Sequence, residues 1–268
     1  MTISALAVSG FTINASTLST ISFGAIACQN SGSVVNSVND AEAINIVVRV
    51  NGVVVNVGGI VAQNDSSGTV SECGNNMKIS VSAYQEARVG GIAGYNNGHI
   101  TECYSSAQIT AVCQNIGSMT YVGGIAGFND TNARIEMAYV KGQIVAESEA
   151  NNVYAGGIVG YTKNTNISYT YTAVSEIIIQ RNTEGEAIKL GGTFVGYADT
   201  LTNSSNPNFY VYAPQFGREE DENLFLTQQI DITSYTAVSD LVGYMNEQLQ
   251  ENIFVYSNSD IHFVWENA

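Results

Sequence analysis

One glycine-rich text returns along this chain at a nearly fixed spacing, and that repetition constrains the fold more than any other feature. "VGGIVAQNDSSGTVSECGNNMKIS", "VGGIAGYNNGHITECYSSAQIT", "VGGIAGFNDTNARIEMAYVKGQIV" and "AGGIVGYTKNTNISYTYTAVSEIII" are copies of one unit. Their double glycines fall at Gly58-Gly59, Gly90-Gly91, Gly123-Gly124 and Gly156-Gly157, followed by Gly191-Gly192 and preceded by a degenerate copy, "FGAIACQN", at Phe23 to Asn30. The steps between them are 32, 33, 33 and 35 residues. A near-constant period with small length changes at the turns is the pattern of coils stacked on one another.

Each period contains three apolar stretches: the glycine strand "GGIAG", a second beginning at Val70, Ile100, Ile135 or Ile167, and a third in "KISVSA", "QITAVC", "QIVAE" and "EIIIQ". The stretches are β-branched and the connections are rich in Asn, Gly, Ser and Asp, which argues for strands and turns and against a helical repeat. The expected fold is all-β: a right-handed parallel β-solenoid of about six coils, with three short strands per coil of about 33 residues. Equivalent residues then stack about 4.8 Å apart, like upon like. On this reading the double glycines serve positive φ or close backbone approach. Asn30, Asn64, Asn96 and Asn129 share one repeat position and are expected to form an amide ladder.

These residues resemble the GLUG-motif repeats of bacterial surface proteins, some immunoglobulin A peptidases and adhesin-like proteins. The likeness runs from about Phe23 to Tyr210 and is strongest in "VGGIAGYNNGHITECYSS". Thr162 and Ala198 stand where earlier copies have the turn Asn, and Thr193 is aligned with the core Ile. The resemblance implies a repetitive, usually extracellular or cell-surface scaffold with no catalytic residues to transfer. It also implies a short helix and a tryptophan-containing strand at the end of the array.

The two ends read differently. "ISALAVSGFTI" aligns with "IEMAYVKGQI", with Ile3 over Ile135, Gly10 over Gly142 and Ile13 over Ile144, so the first coil is expected to be incomplete. Either it is cut from a longer array or the open coil receives another molecule. Residues 1–207 are assigned to the solenoid and 208–268 to an acidic cap. In the cap, Val238, Leu241, Val242, Met245 and Leu249 recur at helical spacing behind Ser239, and two aromatic runs, "IFVY" and "IHFVW", follow. The cap is expected to lie over the last coil.

Charge excludes some functions. The formal net charge is −15, with nine Lys and Arg in 268 residues, so neither a phosphate-tracking surface nor attraction to an anionic membrane is expected. No apolar run is long enough for a membrane helix, and no signal peptide is visible.

Candidate chemistry is sparse. Cys73 and Cys103 share a column of small residues with Ser37, Ala138 and Thr170 and are read as stacked thiols, packed as small hydrophobes or joined as a disulfide. His99 and His262 lack a nucleophile in a recognisable setting. Glu72, Glu102 and Glu136 form a candidate acidic file of the kind a polysaccharide-active β-helix uses. Glu219, Glu220, Asp221 and Glu222 lack the alternation of a calcium loop and read as a solvated run. Tyr104, Tyr139 and Tyr171 are a candidate contact ladder for carbohydrate or protein. Five sequons, at Asn14, Asn64, Asn129, Asn166 and Asn203, are what chance gives in such a composition. No catalytic residue, metal or cofactor is assigned. The expected role is a non-catalytic, adhesin-like segment outside the cell that meets a protein or glycan. A filament subunit stacking through the open coil and a polysaccharide-active enzyme remain the alternatives.

Overall fold

The computed structural model describes residues 2–4, 11–15, 20–40, 43–49, 51–115, 117–148, 152–164, 166–174, 176–181, 189–200, 208–210, 215–216, 222–223, 229–231, 238–257 and 260–267. It is a parallel β-solenoid of about five turns. One coil shows the plan. Strands Glu86–Gly90, Ala93–Asn96, His99–Ser105 and Ile109–Cys113 follow one another, and each pairs in parallel with its counterparts one coil before and after. The four sheets so built are called sheets I to IV in that order.

Four strands per coil replace the three expected. The glycine text is a corner, with a strand ending at its first glycine and another beginning after the Ile. Stacking continues unbroken through the corner, because Ile92 N–H donates to the Ile125 carbonyl and Ile125 N–H to that of Ile158. A Cβ on Gly90 would lie 2.1 Å from the Ala93 oxygen, and one on Gly91 2.1 Å from the Gly124 oxygen. Close approach is therefore what these glycines supply. Positive φ occurs elsewhere, in a column within sheet III: Asn36, Glu72, Glu102, Met137 and Tyr169 all have φ near +50° (48 to 55°). The strand kinks there, and pairing resumes one residue later at Cys103 with Ala138.

Alternation drives the strands. In Lys78–Ala83, Ile79, Val81 and Ala83 are buried while Ser80 and Ser82 are partly exposed. Ile44, Ile79, Ile109, Ile144 and Ile177 form one column down sheet IV, all at most 1% exposed. Such columns fill the interior with a continuous apolar core.

The asparagine column forms a hydrogen-bonded ladder inside this core. Asn30 Nδ2 donates to Asn64 Oδ1 (2.8 Å), Asn64 Nδ2 to Asn96 Oδ1 (2.9 Å) and Asn96 Nδ2 to Asn129 Oδ1 (2.8 Å), and Asn129 Nδ2 ends on Thr162 Oγ1 (3.2 Å). Asn96 Oδ1 also accepts the Gly98 N–H. Asn96→Ala therefore orphans Asn129 Oδ1 and the Gly98 N–H in a dry interior. A loss of about 3 kcal/mol is expected in thermal or urea melts, against less than about 0.5 kcal/mol for the exposed Asn166→Ala. Two sequon residues, Asn64 and Asn129, are fully buried rungs of this ladder.

Three placements differ from the sequence reading. Gly192, not Gly191, pairs with Gly156, so Thr193 takes the second-glycine position and Phe194 the core Ile position. Phe11 aligns with Ile44 and so heads the Ile144 column, which moves Ile13 on to the Ala146 column, whereas Ile3 keeps its place through Val34. Parallel pairing also runs past residue 207, through Asn208–Tyr210, Gln215–Phe216, Glu222–Asn223 and Gln229–Asp231.

The chain's last segment is helix α1 (Val238–Leu249), an antiparallel hairpin (Phe254–Ser257 with Asp260–Phe263) and a 3₁₀ turn (Val264–Asn267). Helix α1 already includes Ser239, which is therefore not its cap. Asn246 ties helix to hairpin, donating to the Phe254 carbonyl and accepting the Ile253 and Phe254 N–H groups. Instead of covering the end of the stack, this segment packs against its side. Val242, Met245, Phe254, Ile261 and Phe263 bury Tyr104, Tyr139 and Tyr171 on the outer face of sheet III. Stacked rings offer a broader apolar seat there than the edge of a coil does.

Candidate functional site: an aromatic groove outside the glycine corner

Sheets I and II meet at the glycine corner in a V that opens outward. Its vertex is a file of glycines, Gly94, Gly127, Gly160 and Gly196. A Cβ on Gly127 would lie 2.4 Å from Val89 N, and one on Gly160 2.5 Å from Val122 N. These four positions leave no room for a Cβ, whereas the same column carries Ala62 and Cys28 in the two preceding coils; along the glycine stretch the outer side chains of the two sheets are brought face to face.

The outward column of sheet I runs Ser22, Asn56, Arg88, Tyr121, Tyr154. That of sheet II runs Gln29, Gln63, Tyr95, Phe128, Tyr161, Tyr197. Rings stack along each column: Tyr121 on Tyr154 at 5.4 Å, Tyr95 on Phe128 at 5.7 Å and Phe128 on Tyr161 at 4.9 Å, all within 15° of parallel. Across the V they meet edge to face, as Tyr121 does with Phe128 (5.5 Å, 87°) and Tyr154 with Tyr161 (5.5 Å, 77°). Both arrangements suit the ring quadrupole.

Charged groups frame the rings. The Arg88 guanidinium carbon lies 4.6 Å from the Phe128 centroid and 5.4 Å from that of Tyr95, while Arg88 Nε donates to Glu86 Oε1 at 2.7 Å. Tyr95 Oη donates to Asp130, and Lys163 Nζ pairs with the same carboxylate at 2.8 Å. Burial, and then the bond to Asp130, push the Tyr95 phenol up to about 12. Burial also pushes the Asp130 carboxyl up, but the bonds from Lys163, Tyr95 and Thr131 outweigh it and hold it down at about 2. A depressed carboxylate contributes stability that is complete above its unfolded value, here 3.8, and is lost as pH falls through about 2. Acid melts of the parent and Asp130→Asn are thus expected to differ at pH 5 and to converge near pH 2.

Below Arg88 the rings stop. In the preceding coil the two columns carry Asn56 and Gln63, and the groove becomes a cleft of about 360 Å³ lined by Thr20, Val54, Asn56, Gln63, Arg88 and Tyr95. Asn56 is 2% exposed, and its Oδ1 has no hydrogen-bond partner. Gln63 Nε2 donates to Ser22 Oγ at 2.9 Å.

The residues singled out in the sequence lie elsewhere. The double glycines and the asparagine ladder are interior and structural. Cys73 and Cys103 are free thiols, stacked and buried; Cys73 Sγ contacts the Ser71 carbonyl at 3.1 Å and Cys103 Sγ that of Thr101 at 3.2 Å, and burial pushes the Cys103 thiol up. The tyrosine ladder exists, with Tyr104 on Tyr139 at 5.1 Å, but the chain's own last segment occupies it: Tyr139 Oη donates to Glu266 and Trp265 lies 5.8 Å from Tyr104. Glu72 and Glu102 share the left-handed column, and burial followed by the Glu72 and Glu251 charges raises the Glu102 carboxyl. Glu136 sits one position earlier, opposite Thr101, and meets His99 at 3.3 Å. Glu219 to Asp221 lie outside the described residues. The groove aromatics were missed, although "GYN", "GFN", "GYT" and "GYA" mark one column and "TYVGG" and "VYAGG" the other.

The fold defines a parallel β-solenoid repeat protein. The family described as the GLUG motif matches residues 86–110 and 120–145, each match spanning one coil from sheet I into sheet IV. The chain is similar to GLUG-repeat proteins over those two coils, the first of which contains "VGGIAGYNNGHITECYSS". No curated protein and no solved structure matches the chain. Among the described residues no three His, Cys, Asp or Glu side chains gather as a metal site. No described helix is long and apolar enough to cross a membrane.

Proposed function

We propose that this chain is a non-catalytic structural segment of a cell-surface or secreted protein, adhesin-like, which presents one side of its solenoid to a protein or glycan. The observation that carries the reading is the aromatic groove. Tyr121, Phe128 and Tyr154 are buried against one another, while Tyr95, Tyr161 and Tyr197 stay partly exposed beside Arg88, Lys163 and Asp130, and such rings with polar tips suit a contact surface. The placement outside the cell rests on the likeness to the GLUG motif.

The test is binding of the purified chain to arrays of glycans and of surface proteins, with Tyr161→Ser as the comparison and size-exclusion light scattering alongside. A monomer whose binding falls in Tyr161→Ser supports the reading. Rods that lengthen with concentration point instead to the filament alternative, and glycan turnover lost in Glu102→Gln points to the enzyme.

A further inference from the structure

We infer that the cleft below Arg88 is a binding subsite for a neutral saccharide ring, resting on the contact-surface reading above and naming its ligand class. In sheet II, Tyr197, Tyr161, Phe128 and Tyr95 stand one above another, and Phe128 covers one face of Tyr95. The other face is turned to the coil of Gln63, where no ring follows. At that rung the column carries Gln63, and the cleft lies beside its side chain.

A flat ligand entering that cleft would rest its C–H face on Tyr95, about one strand spacing below Phe128's level of stacking. Its edge would face Asn56, Gln63, Thr20 and the polar end of Arg88. Asn56 Oδ1 is the decisive group. A buried acceptor without a donor costs about 1–3 kcal/mol and is rare in native structures, so this one calls for a hydroxyl or N–H from outside the chain. Gln63, which lines the cleft with Asn56, is held by its bond to Ser22 Oγ.

Charge selects a neutral polyol. The Arg88 charge is already balanced by Glu86 at 2.7 Å, and the chain as a whole carries −15, so an anion gains little here. Amides, a hydroxyl and a shared guanidinium–carboxylate pair instead match the alternating donors and acceptors of sugar hydroxyls. The volume, about 360 Å³, lies at the small end of the roughly 300–1,000 Å³ typical of ligand pockets and suits a short stretch of glycan, not a long one.

The experiment is an NMR titration of the ¹⁵N-labelled full chain with cellohexaose, xylohexaose, mannohexaose and maltohexaose, followed at the Arg88 Nε–H, the Asn56 side-chain amide and the Tyr95 backbone amide. At least one sugar is expected to move all three with a Kd near or below about 1 mM. Tyr95→Ala should weaken it at least tenfold. Asn56→Ala should weaken it severalfold while leaving the melting temperature unchanged or higher, because it deletes an unsatisfied atom; a merely structural Asn56 would show the reverse. If no sugar moves these signals, or if both variants bind as the parent does, the subsite is overturned. Glycan or protein capture that persists on the arrays in that case leaves the contact surface standing, and its absence there removes both.

Discussion

Ile125→Asp is expected to abolish the single cooperative melting transition of this protein. Ile125 is fully buried midway along a file that runs Ile26, Ile60, Ile92, Ile125, Ile158, Phe194, each member hydrogen-bonded to the next through the backbone. Losing the aliphatic side chain costs about 2–5 kcal/mol, and placing a carboxyl there without a partner costs several more whether it ionises or stays protonated. The sum rivals the whole stability of an ordinary domain, about 5–15 kcal/mol. Position sharpens the outcome, since in a stack each coil touches only its neighbours and a fault in the middle separates the coils on either side. Circular dichroism should show a broad or absent transition, with early exposure to protease around residues 86–160. Ile125→Val, which removes one methylene, should cost only about 0.5–1.5 kcal/mol and keep the transition sharp. A parent-like melt for Ile125→Asp would mean that this file is not the core.

Why the core and ladder were legible while the fourth strand and the groove were not follows from how each is written. A column is one residue type repeated at one period, so Ile79, Ile109 and Ile144, or Asn64, Asn96 and Asn129, announce themselves in a single alignment. The glycine text looks like one strand with its double glycine at a corner, because its residues are small and apolar. The structure adds that one strand ends at Gly90 and a second begins at Ala93. The left-handed column gave no compositional signal, since Glu, Met and Tyr hold φ near +50° beside the one Asn that favours it. The groove joins two columns seven residues apart in sequence, such as Arg88 and Tyr95, and their meeting depends on an angle set by the Gly94 file. The seat of the last segment on Tyr104, Tyr139 and Tyr171 joins residues more than 70 apart in sequence. The aromatic character of both partners was readable, but their pairing was not.

The Gly191 misalignment shows the same limit. Two glycines at a 35-residue step looked like another double-glycine corner, yet hydrogen bonding places Thr193 and Phe194 in the positions of Gly157 and Ile158. Phe194 is fully buried, so the larger ring fills the core at the position where earlier coils use Ile. A core column keeps its burial more faithfully than its residue type; at the corner the first glycine is kept in every coil, from Gly24 through Gly90 to Gly192, while the second gives way to Thr193.

Gly90→Ala tests that distinction directly. The added methyl would lie 2.1 Å from the Ala93 carbonyl oxygen, 2.6 Å from that of Ile125 and 2.8 Å from Ala126 Cα. All three are backbone atoms in the hydrogen-bonded stack, so relief requires separating coils and cannot come from rotating a side chain. A loss of more than about 3 kcal/mol is expected, or on the order of 10 °C in melting temperature for a chain of this size. Gly52 supplies the contrast: its φ is +80° and nothing lies within 4 Å of an added Cβ. Gly52→Asn should therefore cost less than about 1 kcal/mol, since Asn tolerates the left-handed region and meets no neighbour. If the two variants melt together, conformational freedom and not close approach governs the corner. A large gap, with Gly90→Ala far below Gly52→Asn, means that the spacing between coils is what fixes glycine in this repeat.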